Sequence, residues 1–161
     1  MTYRIEPLPT GGRLIQQQAM TRQILLEMTG TDRVEHTPDG RPYLPQRPDL
    51  HISISHCRNA VAVAISDKGA VGIDIECRRR VSTELMQRVC TPDEIDAIRR
   101  SDDPTLAFLQ CWTRKEAVLK CRGTGIRGFT SMVEATLSPD CTLIDLHSPV
   151  ADTVATLACA N

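Results

Sequence analysis

Over residues 13–28 the apolar positions Leu14, Ile15, Ala19, Ile24, Leu25 and Leu26, with polar interruptions at Gln18 and Arg22, fall at helical spacing. They predict an amphipathic helix that ends near Gly30. The turn-rich run Thr37-Pro38-Asp39-Gly40-Arg41-Pro42 follows. The pattern then changes period. Residues 51–55 alternate as His-Ile-Ser-Ile-Ser, residues 60–66 are small, apolar and β-branched, and residues 71–76 alternate again. These predict three strands, the last two joined as a hairpin through Asp67-Lys68-Gly69. Helical signals return at Thr91-Pro92-Asp93-Glu94, a capping box with proline at the first helical position. Asp103-Pro104 opens a further helix, predicted to run to about Cys121 and to stop before Gly123. Three weaker strands are predicted at 133–137, 142–146 and 153–158. A helix with three strands is thus followed by helices with three strands. This order predicts an α+β chain of two similar halves, about 1–76 and 77–161, with no linker between them.

Composition narrows the function classes. The chain has 161 residues, 41% apolar and 24% charged, enough for one domain with a substantial core. Its net charge of −1 supplies no global attraction to nucleic acid or an anionic membrane, so any anionic ligand depends on local basic groups. The seven cysteines are odd in number and show no CxxC or Cys/His ligand spacing. They predict free thiols rather than a disulfide framework or a zinc site. The first ten residues carry charges and prolines where a signal peptide needs an apolar run, and no apolar stretch reaches membrane-spanning length. The expectation is a reduced, cytoplasmic protein.

Two segments carry candidate chemistry. In Val71-Gly72-Ile73-Asp74-Ile75-Glu76, strand alternation puts Asp74 and Glu76 on one face and Ile73 and Ile75 on the other. Adjacent carboxylates repel. Either they are solvated at a strand end, or they hold a hard divalent cation such as Mg²⁺. Gly72 leaves room for a backbone or a ligand to come close. In the second segment, spacing of four sets Phe108, Trp112, Glu116 and Lys120 in one helical row. Charges on such a row require partners. A metal site meeting a phosphate would supply them; so would a simple Glu–Lys pair on a partly exposed helix.

Possible phosphate handles are Ser55 and His56 past a strand end, Arg41 in a Gly-Arg-Pro turn, and Arg22 on the first helix. Each also has an ordinary reading as a turn or surface residue. No GxxxxGK[ST] and no strand-following GxGxxG occurs, which excludes the P-loop and Rossmann classes.

Taken together, these segments resemble the Sfp-type 4'-phosphopantetheinyl transferase family. The residues that carry the resemblance are Gly72-Ile73-Asp74-Ile75-Glu76, Trp112-Thr113-Arg114-Lys115-Glu116-Ala117-Val118-Leu119-Lys120, and the following Gly123 and Gly125. Gly40-Arg41-Pro42 and Ser55-His56 match upstream in the same order, and the likeness covers roughly residues 13 to 130. It implies a pseudo-twofold α+β fold with coenzyme A in the cleft between the halves. Asp74, Glu76 and Glu116 would hold Mg²⁺, with Mn²⁺ as a substitute. Lys120 and His56 would contact phosphates, Arg41, Ser55 and Arg22 the 3'-phosphoadenosine end, and Lys115 would assist nearby. The implied reaction moves phosphopantetheine from coenzyme A to a serine of an apo acyl or peptidyl carrier protein, releasing 3',5'-adenosine bisphosphate. Glu116, Lys120, Asp74 and His56 would be the catalytic set, with Glu116, or a metal-bound water that it orients, as the base. Cys57 departs from the small hydroxyl residue that usually follows Ser-His. The chain is shorter than typical two-domain members yet longer than the single-half members that trimerise, so the expectation is a monomer. The rival readings are a coenzyme A or carrier-binding module without turnover and a small Mg²⁺-dependent phosphohydrolase.

Overall fold

The structure is a computed structural model that describes residues 1–9, 13–124, 133 and 140–161. It has mixed helix and sheet, in the order β1 (Thr2–Pro7), α1 (Leu14–Thr29), β2 (Glu35–His36), β3 (Pro42–Tyr43), β4 (His51–Cys57), β5 (Ala60–Ser66) and β6 (Val71–Cys77). These are followed by α2 (Thr83–Val89), α3 (Pro92–Arg100), α4 (Pro104–Arg122), β7 (Cys141–Leu146) and β8 (Thr153–Ala160). The strands form two three-stranded antiparallel sheets, β1-β5-β4 and β6-β8-β7, and a small β2-β3 ribbon.

The predicted helix at 13–28 is α1, closed by Gly30 in the left-handed conformation at φ 79° with its N–H on the Leu26 carbonyl. Only part of its apolar stripe is used. Ile24 and Leu25 are buried, whereas Leu14, Ile15 and Leu26 are exposed. The capping box at Thr91 is formed as the sequence predicts, and α4 starts at Pro104 under the Asp103 cap and ends at Gly123, φ 72°. The strands predicted at 142–146 and 153–158 are β7 and β8. The strand predicted at 133–137 lies, beyond Val133, outside the described residues.

One pairing differs from the sequence reading. β5 and β6 do not form a hairpin ladder: β5 lies between β1 and β4, and β6 pairs with β8. The turn at Asp67–Gly69 therefore passes the chain from one sheet to the other. β5 explains why. Ala60, Ala62 and Ala64 face β6 and β8, while Val61, Val63 and Ile65 face α1. A strand buried on both faces reads as one apolar run whose neighbours cannot be told from its own sequence. Its alanine face is thin enough for the second sheet to pack directly upon it.

The seam between the sheets is made by side chains. β4 turns Ile52 and Ile54 toward α1 and turns Ser53 and Ser55 toward β6. Ser53 Oγ accepts from Ile73 N at 3.0 Å and Ser55 Oγ from Ile75 N at 3.3 Å. The free edge of β6 is thus satisfied by hydroxyls where a backbone ladder is missing.

On its other side β6 carries α4. A Cβ built on Gly72 would lie 2.0 Å from the Ala117 carbonyl oxygen and 2.5 Å from the Cys121 nitrogen. Of the two roles the sequence allows Gly72, it serves approach of a backbone. The contact continues in Thr113 Oγ1 and Thr156 Oγ1, both fully buried and 2.9 Å apart. Among the described residues, no helix is long and apolar enough to cross a membrane.

Candidate active site

The alternation of β6 and the four-residue row of α4 converge on one spot. Gly72, Asp74 and Glu76 share the face of β6 on which α4 lies, and α4 presents Phe108, Trp112, Glu116 and Lys120 along it. Phe108 is fully buried, with its ring centroid 6.2 Å from that of Trp112. This aromatic pair anchors the start of the row and carries the charged residues past the strand end.

Asp74 is 5% exposed and is the centre of the cluster. Its Oδ1 accepts from Ser55 Oγ at 2.8 Å and from Lys120 Nζ at 2.7 Å. Lys120 Nζ also donates to the Ile73 carbonyl at 3.1 Å. Asp74 Oδ2 is buried and has no hydrogen-bond partner. An ionised oxygen in that position is costly unless something cationic reaches it.

The neighbouring acids deepen the need. Burial pushes the Glu116 carboxyl up to about 7, helped by the negative charge of Asp74; Lys120 opposes this, and Glu76 adds a smaller push upward. Glu76 is raised as well, by burial and then by Asp74, while Arg79 and the Trp112 indole hold it down. The charge of Asp74 therefore raises the proton affinity of both Glu116 and Glu76, the pattern of a site with more negative charge than its protein cations balance. This oxygen set, with an unpartnered carboxylate oxygen at its centre, fits a hard divalent cation. The three groups do not all have oxygens within 4.8 Å of one another, so closing on an ion takes rotation of the carboxylates.

A raised carboxyl costs folding stability once it ionises. In metal-free protein the Glu116 contribution is therefore lost as pH rises from its unfolded value near ~4.3 through about 7. Glu116→Gln is expected to raise the melting temperature in chelator at pH 8, equivalent to ~2 kcal/mol, and to change little near pH 4.5. Thermal unfolding at the two pH values checks this; equal shifts at both would refute the electrostatic account.

Beside the acids lies a cavity of about 710 Å³, walled by α1, the β2-β3 ribbon and β4. Lys120, Arg22, Arg41 and His56 all line it, together with Arg33 and His36, and the lysine and arginines outnumber the two acids of the wall, Asp32 and Asp39. Arg41 lies over Gly123, where an added Cβ would sit 3.2 Å from its guanidinium, and Arg41 Nη2 donates to the Cys121 carbonyl at 3.5 Å. The Gly-Arg-Pro turn is thereby fixed to the end of α4. Lys120 belongs to both places: it holds Asp74 and faces the cavity.

Five of the predicted groups, Asp74, Glu76, Glu116, Lys120 and Ser55, gather at the acidic cluster, while Arg22, Arg41 and His56 face the cavity. Two predicted roles change. The Ser55 hydroxyl is buried and used, donating to Asp74 and accepting from Ile75 N, so it positions the carboxylate and is not free for a phosphate. Lys115 is not in the site. It is 1% exposed on the other side of α4, with Nζ 2.7 Å from both the Val89 carbonyl and Glu94 Oε2. One residue along a helix rotates the side chain by about 100°, which takes Lys115 away from the Glu116 row. Arg33 and His36 escaped the sequence reading, because β2 has only two residues, Glu35 and His36, and Arg33 lies in the segment just before it.

The arrangement defines a class before any name is attached: a carboxylate cluster joined through a lysine to a cavity lined with arginine and histidine, suited to a phosphate-bearing ligand beside a divalent cation. The family model for the 4'-phosphopantetheinyl transferase superfamily matches residues 70–150, and the chain belongs to this superfamily. AcpT of Escherichia coli K12, a 4'-phosphopantetheinyl transferase, is 32% identical over 138 residues, covering 76% of this chain and 69% of AcpT. Sfp of Bacillus subtilis strain 168, of the same name, is 28% identical over 144 residues, 86% of this chain and 63% of Sfp. A second Bacillus subtilis 4'-phosphopantetheinyl transferase is 33% identical over 89 residues, 54% of this chain and 39% of that protein. The matched part thus spans from about two fifths to two thirds of these relatives' lengths.

Proposed function

We propose that this protein transfers the 4'-phosphopantetheine group of coenzyme A to a serine of an apo acyl or peptidyl carrier protein, with Mg²⁺ as the metal. The observation that carries the proposal is the double position of Lys120, 2.7 Å from Asp74 and in the wall of the basic cavity. It makes the acidic cluster and the cavity one site, with places for both a metal and a polyphosphate.

Asp74, Glu76 and Glu116 would hold the ion, which when bound supplies charge neutralisation at the pyrophosphate. In the reaction the carrier serine oxygen forms a bond to the β-phosphorus while the bond from phosphorus to the bridging oxygen breaks, and 3',5'-adenosine bisphosphate leaves. The serine proton needs an acceptor. Glu116, or a metal-bound water that it orients, would take it. Lys120 and His56 stabilise charge on the transferring group, and Arg22 and Arg41 hold the nucleotide end in the cavity. Positioning dominates such chemistry, and Ser55 serves it by fixing the Asp74 carboxylate.

The two three-stranded antiparallel sheets, one packed against α1 and the other against α4, also support a pseudo-twofold arrangement of two halves. Since β6 ladders with β8, the division that fits best falls before Val71 rather than at residue 76. A cytoplasmic setting and a monomeric state complete the proposal.

Intact-mass spectrometry of apo carrier proteins incubated with the protein, coenzyme A and Mg²⁺ tests the function. The expected result is a gain of one phosphopantetheine that disappears with EDTA. Binding of coenzyme A without a mass gain on any carrier would replace the proposal with a binding module. Release of phosphate without carrier modification would replace it with a phosphohydrolase.

A further inference from the structure

The buried lysine that the acidic site does not use sits beside two thiols. Cys90 follows α2 as its C-cap, Cys111 lies on α4 one turn before Lys115, and their sulfurs are 3.9 Å apart. Cys90 is 5% exposed, whereas Cys111 is half-buried and lines a separate cavity of about 520 Å³ between α3, α4 and β7. Lys115 Nζ takes the carbonyl of Val89, the residue before Cys90. Glu94 is the third group near the thiols, all three having ligand atoms within 4.8 Å of one another. Its Oε2, however, already accepts from Lys115 Nζ and from Thr91 N, each at 2.7 Å. An ammonium on the carboxylate opposes a metal ion there, and the pair of sulfurs is left to chemistry of its own.

We propose that Cys90 and Cys111 are a reversible modification site, a thiol pair that hydrogen peroxide oxidises to an intramolecular disulfide between the end of α2 and α4. The Cys90 thiolate attacks one peroxide oxygen, the O–O bond breaks, and Cys90 becomes a sulfenic acid as the departing oxygen leaves as water. Cys111 sulfur then attacks Cys90 sulfur; the S–S bond forms, the S–O bond breaks, and the departing hydroxyl leaves with the Cys111 proton as a second water. Two thiols are oxidised and one peroxide is reduced to two waters.

The surroundings favour this pair over the other cysteines. Cys90 is held below the ordinary thiol range by its hydrogen-bonding contact with Cys111, in which either sulfur can be the donor, and then by the Lys115 charge, although burial and Glu94 oppose them. Burial pushes Cys57 and Cys121 the other way, each up to about 12, which leaves little thiolate to react. From 3.9 Å the sulfurs need to close by roughly 2 Å to reach bonding distance.

The test treats the full-length protein with a small excess of hydrogen peroxide, blocks remaining thiols, and maps cysteines by peptide mass spectrometry. The expected product has lost two hydrogen atoms, carries a Cys90–Cys111 crosslink, and reverts with dithiothreitol. In Cys111→Ser the expected product is a dimedone adduct at Cys90, with no crosslink. Lys115→Met is expected to slow oxidation by roughly tenfold, because it removes the positive charge that favours the Cys90 thiolate. A first crosslink between other cysteines overturns the proposal. So does irreversible oxidation of Cys90 without a crosslink, or a Cys111→Ser protein that dimedone does not label at Cys90. None of these outcomes depends on the transferase reading.

Discussion

Asp74→Asn is expected to lower the initial rate of carrier labelling by at least 10²–10³-fold, the range seen when one charge-stabilising group is removed from an active site. Asparagine keeps the volume and can still accept from Ser55 and Lys120, the two partners of Oδ1. What it removes is the charge, including that on the buried Oδ2 that has no partner. The fold should therefore survive, with the melting temperature in chelator unchanged or raised, since the variant relieves repulsion on Glu116 and Glu76. Stabilisation of the protein by Mg²⁺ should disappear. Intact-mass labelling and thermal unfolding with and without Mg²⁺ check both halves of the expectation. Turnover near that of the wild type would remove Asp74 from the metal site. A folded variant that keeps its Mg²⁺ stabilisation would do the same.

The largest effect on stability is expected at Gly72. A methyl group there meets backbone atoms of α4 at 2.0 Å and 2.5 Å, and neither can turn aside as a side chain would. Gly72→Ala therefore has to push the helix off the strand or bend β6 away from β8. The expected loss is about 3 kcal/mol or more, at the upper end for overpacked positions and a large fraction of the 5–15 kcal/mol that holds a typical domain together. Because α4 carries Glu116 and Lys120, residual folded protein should also label carriers poorly. Urea unfolding followed by circular dichroism measures the change. Stability within 1 kcal/mol of wild type, in units that routinely accompany surface changes, would mean that α4 does not rest on β6 at this point.

The site was more legible than the topology that builds it. The face shared by Asp74 and Glu76, and the row from Phe108 to Lys120, follow from periods of two and 3.6 alone. Both are present as read, because periodicity is local and survives folding. Pairing is not local. Residues 60–66 form a strand as predicted, but an all-apolar strand gives no sign of whether the next strand or the N-terminus lies beside it. β1 had a signal that the prolines and charges obscured: Thr2-Tyr3-Arg4-Ile5-Glu6 alternates polar and apolar, and Ile5 is its buried residue. α2 has only seven residues and was marked by little more than its Ser82 cap. The misplacement of Lys115 has a different origin. A motif places neighbouring residues together on paper, whereas a helix sends them to different faces, and Glu94 had already been assigned to a cap that leaves it able to bind an ammonium as well.

The hydroxyl seam between β4 and β6 separates two kinds of cooperativity. Within each sheet, amide protection rests on backbone ladders that only a substitution to proline removes directly. Across the seam it rests on two serines, so the joint is heritable residue by residue. The amides of Ile73 and Ile75 thus report how often the sheets part, independently of either sheet melting. Ser55 adds a link to catalysis: the hydroxyl that covers one of those amides also aims Asp74, so an opening that bares Ile75 N also removes one of the two hydrogen bonds on Asp74 Oδ1 and leaves that of Lys120. Exchange at that amide then counts the moments when the central carboxylate is held by the lysine without the serine.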